Sequence, residues 1–397
     1  MPDLTSLSLA GEHVRDGKLL ILALASVSLA LLFLSWTNWS HNRNVRRIRI
    51  RIHVAGTRGK STTTRMIAAG LRASGLSVLA KTTGSAPRLI MPDGTDRDWP
   101  RRGPASIREH IKFFSLAAKL KVDAVVVECM AIRPELIAAS QKDLVQAHLY
   151  VITNTRPDHF EELGEDPQAM ARALAFALPQ NGHVILSAEC AQEPLLAMAQ
   201  QIADHVIIVN TDVDDALNAN QQLARAACAV FGAEGTQVER AMDQAPHDPG
   251  FQFTSSVTIK NKSAEFINAF ACNDVVSLRA LLAKNSAHKP HAMIINARGD
   301  RPLRSSAFLT FLASLDSPPQ LFITGDHWAQ RLAQKLGLKS HLLEHEHIRD
   351  PQAALAHMMS ELPQNAQIWG IGNFHGFGER LVEHIRQTQS PQAHTSC

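Results

Sequence analysis

The sequence predicts an α/β protein with an N-terminal transmembrane helix, a central parallel-sheet domain and a smaller C-terminal α/β domain. Three observations lead to this prediction: an uncharged apolar run near the N-terminus, short apolar runs that alternate with helix-like stretches from residue 48 onward, and a lapse of that alternation near residue 250. Strand–helix alternation is typical of βαβ units around a parallel sheet. The length of 397 residues suits two or three domains.

The composition excludes several classes of protein. Apolar residues make up 45% of the chain and charged residues 19%, which is enough apolar material for packed cores. The 40 Lys and Arg nearly balance the 37 Asp and Glu, and aromatic residues are scarce at 5% with one tyrosine, Tyr150, so nucleic acid is not expected as a partner. The five cysteines form no CxxC pair and indicate reduced, buried thiols of a cytosolic domain.

The first element is an apolar run from Leu19 to Trp36, which as a helix spans about 27 Å and would just cross the hydrocarbon of a bilayer. Trp36 and Trp39 stand at its end, where indole rings favour the lipid–water interface. Positive charge follows the run, with five arginines between residues 43 and 51. A cleaved signal peptide would carry its charge before the run, and a buried core helix is rarely apolar on all sides. We therefore expect a single-pass anchor in the cell (inner) membrane, with everything from about residue 40 in the cytoplasm.

The next elements are strands and helices in alternation. The predicted strands are 49–55, 77–81, 124–129, 147–153, 183–186, 205–209, 292–296, 320–324 and 367–370, and the predicted helices include 61–74, 106–120, 167–177, 218–231 and 277–282. Several strands are apolar on both faces, as expected inside a parallel sheet. Periodicity lapses at 243–256, which is rich in Pro, Gly and Asp. We expect an N-terminal segment at 1–40, a central ATP-binding domain at 44–245, a C-terminal domain at 256–388 and a disordered tail at 389–397.

The most informative motif is the turn Gly56, Thr57, Arg58, Gly59, Lys60, Ser61 and Thr62, which follows an apolar strand and opens a helix. Glycines let backbone N–H groups converge on an anion, and the start of the helix adds partial positive charge. Lys60 can reach the β- and γ-phosphates of ATP, and the Ser61 hydroxyl can bind Mg²⁺. Val54 stands where the full GxxxxGK[ST] pattern has glycine. The alternative is a glycine-rich turn with a surface lysine.

Two further strand ends offer ligands for a metal ion. Glu128 ends an apolar strand, and Asp158 and His159 follow the strand that ends near residue 153. Ligands of open α/β sheets bind at the carboxyl ends of the strands, so we expect Glu128 and His159 to face the Lys60 turn and hold Mg²⁺ with Ser61. The alternatives are a solvated acid at 128, a structural histidine at 159 and a helix cap at 158.

These motifs resemble the poly-γ-glutamate synthase CapB/PgsB family, the membrane-anchored branch of the Mur ligases and folylpolyglutamate synthases. The resemblance is carried by GTRGKS (56–61), KTTGSAPRLIMPDG (81–94), VVECMAIRPE (126–135), NTRPDHFEELG (154–164), NAFACND (268–274), NARGDRPLRS (296–305) and GIGNFHGFGERLVEH (370–384). It covers nearly the whole chain, and the shortened G-T-x-G-K-S turn is the Mur-type form. It implies a P-loop, Mur-ligase-like central domain.

The resemblance also implies site residues and a reaction. Lys60 and Ser61 match the phosphate-binding pair, Glu128 the glutamate on the nucleotide magnesium and His159 the histidine of a second metal site. The carbamylated lysine that bridges the metals in many Mur-type ligases has no counterpart, since no lysine lies between Lys142 and Lys260. The implied reaction joins glutamate through its γ-carboxylate, with ATP and Mg²⁺ or Mn²⁺, by way of an acyl phosphate that releases ADP and phosphate.

The substrates of such a reaction are anions, and arginine binds oxyanions bidentately. Candidate clamps for carboxylate or phosphate are Arg88, Arg298, Arg301 and Arg304, with solvated surface arginines as the alternative. Asn273 and Asp274 are candidates for the lining of the cleft on the C-terminal domain. The resemblance further implies partners of the CapC/PgsC and CapA/PgsA types beside the growing poly-γ-glutamate chain.

Other segments and functions are weaker candidates. The histidine-rich 340–347 lacks a metal-binding partner motif and is interpreted as a solvated turn, and the glycines of 370–378 are interpreted as a tight β–α turn. A ligase for another acidic substrate would need no anchor, and a capsule-regulating kinase would carry a C-terminal tyrosine cluster, whereas Tyr150 is central. A non-catalytic ATP-binding scaffold stays open at this point.

Overall fold

The N-terminal element is one long helix, α1 (Leu4–Arg46). The structure is a computed structural model that describes residues 4–389 except 85, 102, 157–165, 167, 212–214, 249, 273, 286–288 and 300–301. Within the described part of α1, Ile21–Arg46 is long and apolar enough to cross a membrane, with mean hydropathy 1.8 over its most apolar window. The predicted anchor, 19–36, is therefore one part of a longer helix.

The last turns of α1 are built into the following domain. His41 and Val45 are buried, and the His41 ring makes an edge contact with Phe114. Arg51, on the first strand, donates from Nη1 to the carbonyl of Ile48 at 2.9 Å and from Nε to that of Gln146 at 2.8 Å. The helix thus continues into the folded body without a linker.

The central domain is built on a mixed sheet with strand order β4-β3-β2-β5-β1-β6-β7-β8 among the described residues. Its strands are β1 Ile50–Ala55, β2 Val78–Thr82, β3 Arg88–Ile90, β4 Asp96–Asp98, β5 Ala124–Glu128, β6 Leu149–Ile152, β7 His183–Ser187 and β8 His205–Val209. Neighbouring strands from β2 to β8 in this order run parallel, while β3 and β4 are antiparallel additions at one edge. The parallel strands therefore end at one edge, where β1, β5 and β6 lie side by side.

Helices cover both faces of this sheet. They are α2 Lys60–Ala73, α3 Glu109–Leu120, α4 Pro134–Ala139 with a π-helical continuation Ser140–Val145, α5 Ala169–Ala175, α6 Leu195–Ile202, α7 Ala216–Ala229 and α8 Thr236–Asp243. The closest packing is at Gly70 of α2, where a Cβ would lie 2.6 Å from Met242 and 2.9 Å from Cys228. This glycine lets α2 approach α7 and α8 closely.

The C-terminal part of the chain forms a second sheet, with strand order β13-β12-β11-β14-β10-β9 in the residues described. Its strands are β9 Phe253–Ile259, β10 Lys262–Asn268, β11 Ala292–Asn296, β12 Gln320–Thr324, β13 Ser340–Leu342 and β14 Ala366–Gly372. Its helices are α9 Val275–Lys284, α10 Pro302–Ala313, α11 His327–Lys335, α12 His345–Arg349, α13 Pro351–Ser360 and α14 Phe377–Gln389. Only β9 and β10 pair antiparallel among these strands.

All nine predicted strands are present, with small shifts at their ends. Gly370 and Gly372 end β14 and Gly376 stands in the turn before α14, which agrees with the predicted β–α turn, while Gly378 lies in the first turn of α14. The prediction for 340–347 was wrong, because Ser340–Leu342 pairs with β12 and a short helix begins at His345. The expected boundary at 243–256 overlaps the connection between α8 and β9, and most of the expected tail, 390–397, lies outside the described residues.

Candidate active site

The phosphate turn connects β1 to α2, as the sequence predicts. β1 ends at Ala55, and α2 begins at Lys60 after four turn residues. Gly56 has a φ of 121°, and a Cβ there would lie 2.2 Å from the Thr153 hydroxyl oxygen. Gly59, with a φ of 78°, would place a Cβ 2.1 Å from Oδ1 of Asn220. Both positions therefore require glycine for conformation and for space.

Residues after β6 hold this turn in place. Oδ1 of Asn154 accepts hydrogen bonds from the Thr57 hydroxyl and from the Arg58 amide, the latter at 3.0 Å. The Asn154 amide donates in turn to the carbonyl of Arg58 at 2.9 Å. Sequence reasoning missed this role. The available signal was a polar residue directly after a strand that neighbours β1.

Lys60 closes over the turn that precedes it. Its ammonium donates to the carbonyls of Gly56 at 2.7 Å and Thr57 at 3.3 Å. The side chain is therefore already directed across the backbone N–H groups of the turn. A charged ammonium in this position would interact favourably with an anion bound by those groups.

Ser61 and Glu128 meet at the carboxyl edge of the sheet. The Ser61 hydroxyl donates to Oε2 of Glu128 at 2.8 Å, and the amide of Thr83 donates to the same oxygen at 2.6 Å. Glu128 is 2% exposed, and a Cβ at the adjoining Gly84 would lie 2.3 Å from the Ser61 hydroxyl oxygen. A hydroxyl and a buried carboxylate are oxygen ligands of the kind Mg²⁺ prefers, so this pair fits a divalent cation.

The other predicted metal ligand cannot be placed. His159 and Asp158 lie outside the described residues. Among those that are described, no group of three or more His, Cys, Asp or Glu side chains could hold a metal ion by itself. Ser61 and Glu128 are therefore a described pair of candidate donors for a cation.

The phosphate turn also contacts the C-terminal part of the chain. Nε of Arg58 lies 3.1 Å from Oδ2 of Asp274, which caps α9 by accepting from the amide of Ser277 at 2.7 Å. Burial raises the pKa of the Asp274 carboxyl, but Arg58 and the hydrogen bonds from Ser277 outweigh it and leave that pKa below its ordinary value. Asp274 is therefore held as a carboxylate at the cleft, while Asn273 lies outside the described residues.

The phosphate turn and Glu128 line a large cleft of about 1370 Å³ that the C-terminal part of the chain also borders. Residues 56–62 and Glu128 line it from the first sheet, and Arg298 and Arg304 line it from the second. Arg304 also donates to Oδ1 of Asn373 at 3.1 Å. Arg301 lies outside the described residues.

The prediction for Arg88 needs correction. Its Nε lies 2.8 Å from Asp96, and its Nη1 is ion-paired with Asp98. Both partners belong to β4, which pairs with the strand that carries Arg88. The Arg88 guanidinium is therefore already ion-paired with two carboxylates. It stabilises the pairing of β3 with β4 and is not assigned as a substrate clamp.

Comparison with known proteins identifies this arrangement. The family model of the Mur ligase middle domain matches residues 54–267. The chain belongs to the Mur ligase family. The model of the poly-gamma-glutamate synthase CapB C-terminal domain matches residues 254–388, which confirms the predicted resemblance. This Mur ligase family member is an ATP-dependent amide ligase.

Relatives and solved structures agree with this assignment. The chain is 26% identical over 373 residues to PGA synthase CapB of Bacillus subtilis (strain 168), covering 89% of this chain and 94% of that protein. The structure of E. coli FolC in complex with ADP matches with a TM-score of 0.64 and 18% identity, over 90% of this chain and 95% of that one. A Yersinia pestis folylpolyglutamate synthase/dihydrofolate synthase complexed with AMPPNP and Mn matches with a TM-score of 0.65 and 16% identity, over 88% and 92%. The predicted Mur-ligase-like fold is thereby confirmed.

Proposed function

We propose that this Mur ligase polymerises glutamate through γ-carboxyl linkages and so makes poly-γ-glutamate. The observation that carries the proposal is the contact between Arg58 and Asp274, through which the CapB-type C-terminal part reaches the phosphate turn. A relative that aligns over 89% of this chain is named PGA synthase CapB. The C-terminal part of the chain, which borders the cleft, thus resembles that of a poly-γ-glutamate synthase. The phosphate turn lies in the part that matches the Mur ligase middle domain.

The reaction proceeds through an acyl phosphate. A glutamate γ-carboxylate oxygen bonds to the γ-phosphorus of ATP, the bond from that phosphorus to the β,γ-bridging oxygen breaks, and ADP leaves. The amine of the next glutamate then attacks the acyl carbon, the carbon–oxygen bond to phosphate breaks, and the nitrogen loses a proton. The amide product and inorganic phosphate remain. This route is needed because a carboxylate is itself a poor electrophile.

The residues of the cleft divide this work. The phosphate turn, from Gly56 to Thr62 with the Lys60 ammonium, binds and orients the phosphates, which is the main task in phosphoryl transfer. Ser61 and Glu128 would hold Mg²⁺ or Mn²⁺, and His159 would bind a second ion. A bound divalent cation neutralises charge on the phosphate oxygens. The acidic substrates and the C-terminal domain are positioned by four residues: Arg298, Arg301, Asn273 and Asp274.

The protein acts at the membrane, anchored once through α1 with its ligase domains in the cytoplasm. The span Ile21–Arg46 supports this placement, and four arginines at the end of α1 and just after it are exposed, as expected on the cytoplasmic side: Arg43, Arg46, Arg47 and Arg49. Anchoring brings the polymer to a membrane exporter. We expect CapC/PgsC-type and CapA/PgsA-type proteins as the partners in that complex.

The decisive experiment supplies membrane preparations with ATP, Mg²⁺ and labelled glutamate. The unmodified protein should form γ-linked polymer with release of ADP, and Lys60→Ala should form none, because the phosphates lose their ammonium partner. Lys119→Ala, at an exposed position of α3, is the matched control and should keep activity. Polymer formation by Lys60→Ala, or no glutamate-dependent ADP release by the unmodified protein, would overturn the proposal. Hydroxylamine should trap the acyl phosphate as a hydroxamate during turnover.

A further inference from the structure

A second, smaller cavity adjoins the nucleotide cleft. It has a volume of about 400 Å³ and is formed by the first turn of α3 and the segment that precedes it. Arg101, Gly103 and Pro104 line both this cavity and the large cleft. The two cavities therefore adjoin at Arg101, Gly103 and Pro104.

The lining of this cavity is basic. Arg101, Arg108 and Lys112 line it. Arg108 directly precedes α3, Lys112 lies one helical turn later, and both are exposed. Its acidic lining residue, Glu109, is already neutralised among the described residues, with Oε1 at 2.8 Å from Nε of Arg101 and Oε2 at 2.8 Å from the Lys81 ammonium. The cavity therefore presents net positive charge beside the cleft.

Arg101 is held in this position by a buried support. Lys81 is fully buried near the end of β2, and its ammonium lies 5.4 Å from the centre of the Trp99 ring. The same ammonium forms an ion pair with Glu109 and holds that carboxylate in place. Glu109 in turn fixes Arg101. Nη2 of Arg101 is buried without a hydrogen-bond partner among the residues that the structure describes. A buried donor of this kind is stabilised when a ligand supplies an acceptor.

We propose that this basic cavity binds the polyglutamate chain next to its reacting end. The inference rests on the proposed function and adds the place where the polymer is held. Each γ-linked residue keeps one free α-carboxylate, so the polymer carries regularly spaced negative charges. Arg101 binds the carboxylate closest to the reaction, and Arg108 and Lys112 bind those that follow across α3. Guanidinium groups suit this role because they bind carboxylates bidentately.

The test measures polymer binding apart from turnover. The probe is a fluorescent γ-linked glutamate decamer, titrated with the full-length protein in detergent micelles in the presence of ADP. Arg108→Glu combined with Lys112→Glu should weaken binding by about tenfold or more, and Lys112→Arg should restore most of the affinity lost in Lys112→Glu. The difference in decamer affinity between the unmodified protein and the double variant should decrease as the salt concentration is raised, because exposed charges are screened. Lys119→Glu, on the same helix about 10 Å from Lys112, is the matched control and should change binding less than about twofold.

The outcomes separate this inference from the proposed function. Unmodified protein that polymerises glutamate, with equal decamer binding by the double variant, would overturn the cavity assignment alone. A double variant that keeps decamer binding but loses binding to vesicles with anionic phospholipid would identify a membrane contact instead, and would also overturn it. Nucleotide affinity, measured in each variant, reports whether the fold is intact. Shorter polymer from membranes that carry the double variant would support the assignment independently.

Discussion

The guanidinium of Arg58 lies 3.1 Å from the carboxylate of Asp274. Arg58 follows β1 of the first sheet, and Asp274 stands between β10 of the second sheet and α9. Both side chains are mostly shielded from solvent, at 17% and 16% exposure. Because Arg58 stands inside the phosphate turn, this ion pair couples the position of the C-terminal domain to the nucleotide site. The coupling leads to the first of four predictions.

Removing either charge of the Arg58–Asp274 pair should impair the use of ATP. Arg58→Gln, Asp274→Asn and the double variant should each lower kcat/KM for ATP, with an interaction energy of about 1–2 kcal/mol in the double-mutant cycle. Asparagine is chosen because it keeps the capacity to cap α9. The measurement is glutamate-dependent ADP release in all four proteins. Additive effects of the two changes would show that the contact has no role in activity.

The Ser61 hydroxyl should set the requirement for divalent cation. Ser61→Ala removes one of the two described oxygen donors, so the Mg²⁺ concentration for half-maximal activity should rise about tenfold at fixed ATP. Ser74→Ala is the matched control, since Ser74 stands just beyond the other end of α2 and donates to the carbonyl of Leu71. An unchanged Mg²⁺ dependence in Ser61→Ala would exclude Ser61 as a ligand.

Gly56→Ala should damage nucleotide binding through a steric clash and not through backbone strain alone. Its Cβ would lie 2.2 Å from the Thr153 hydroxyl oxygen and 2.8 Å from the carbonyl oxygen of Asn154. Gly75→Ala separates the two effects, because Gly75 has a φ of 92° but no atom within 4 Å of the added Cβ. Gly75→Ala should cost about 1 kcal/mol of stability without changing ADP affinity, while Gly56→Ala should weaken ADP binding by about tenfold or more. Equal ADP affinities in the two variants would contradict this account.

His53 should make the folded protein sensitive to mild acid. The side chain is fully buried, and burial lowers its pKa from 6.5 to about 4 despite a hydrogen bond with Gln141. Because the folded-state pKa lies below the unfolded value, the stability is complete above pH 6.5 and falls as the pH drops towards 4. Between pH 6.5 and 5 the unfolded chain binds a proton at His53 that the folded protein does not bind. The free energy of unfolding therefore falls by about 2 kcal/mol by pH 5.

His53→Gln should remove that part of the pH dependence. Denaturant unfolding of both proteins at pH 7.5 and pH 5 measures it, and the variant should lose about 2 kcal/mol less than the unmodified protein over this interval. His110, whose pKa is lowered mainly by burial and also by the neighbouring His53, remains in both proteins, so the part of its contribution that comes from burial cancels in the comparison. The same loss of stability in both proteins would mean that His53 accepts a proton in the folded state.

The parallel strands were predictable because they are apolar on both faces, as Val125, Val126 and Val127 illustrate. β9 and β10 were missed because an antiparallel pair with one solvated face alternates apolar and polar residues and shows no continuous apolar run. β3 and β4 were missed because each has three residues, and β4 is polar throughout. The error for Arg88 has the same origin, since its carboxylate partners stand on a strand that the sequence did not reveal.

Local patterns were sufficient for part of the candidate site. Lys60, Ser61 and Glu128 follow from one motif and one strand end; the structure joins Ser61 to Glu128 by a hydrogen bond and places all three residues at one cleft. Asn154, Asn220 and Thr83 could not be assigned, because their contacts with the phosphate turn and Glu128 depend on which strands and helices become neighbours in space. The pairing of Arg58 with Asp274 spans 216 positions in the chain and needs the arrangement of both sheets.

The burial of His41 and Val45 has a mechanical consequence. α1 is helical without interruption from Leu4 to Arg46, and its last turns pack against α3. The apolar segment is therefore joined to the first sheet without a flexible hinge in the described residues. In the membrane placement proposed above, turning the ligase body about the membrane normal would require turning the whole 43-residue helix with it. The rotational orientation of this one helix in the bilayer would then set the direction in which the cleft opens.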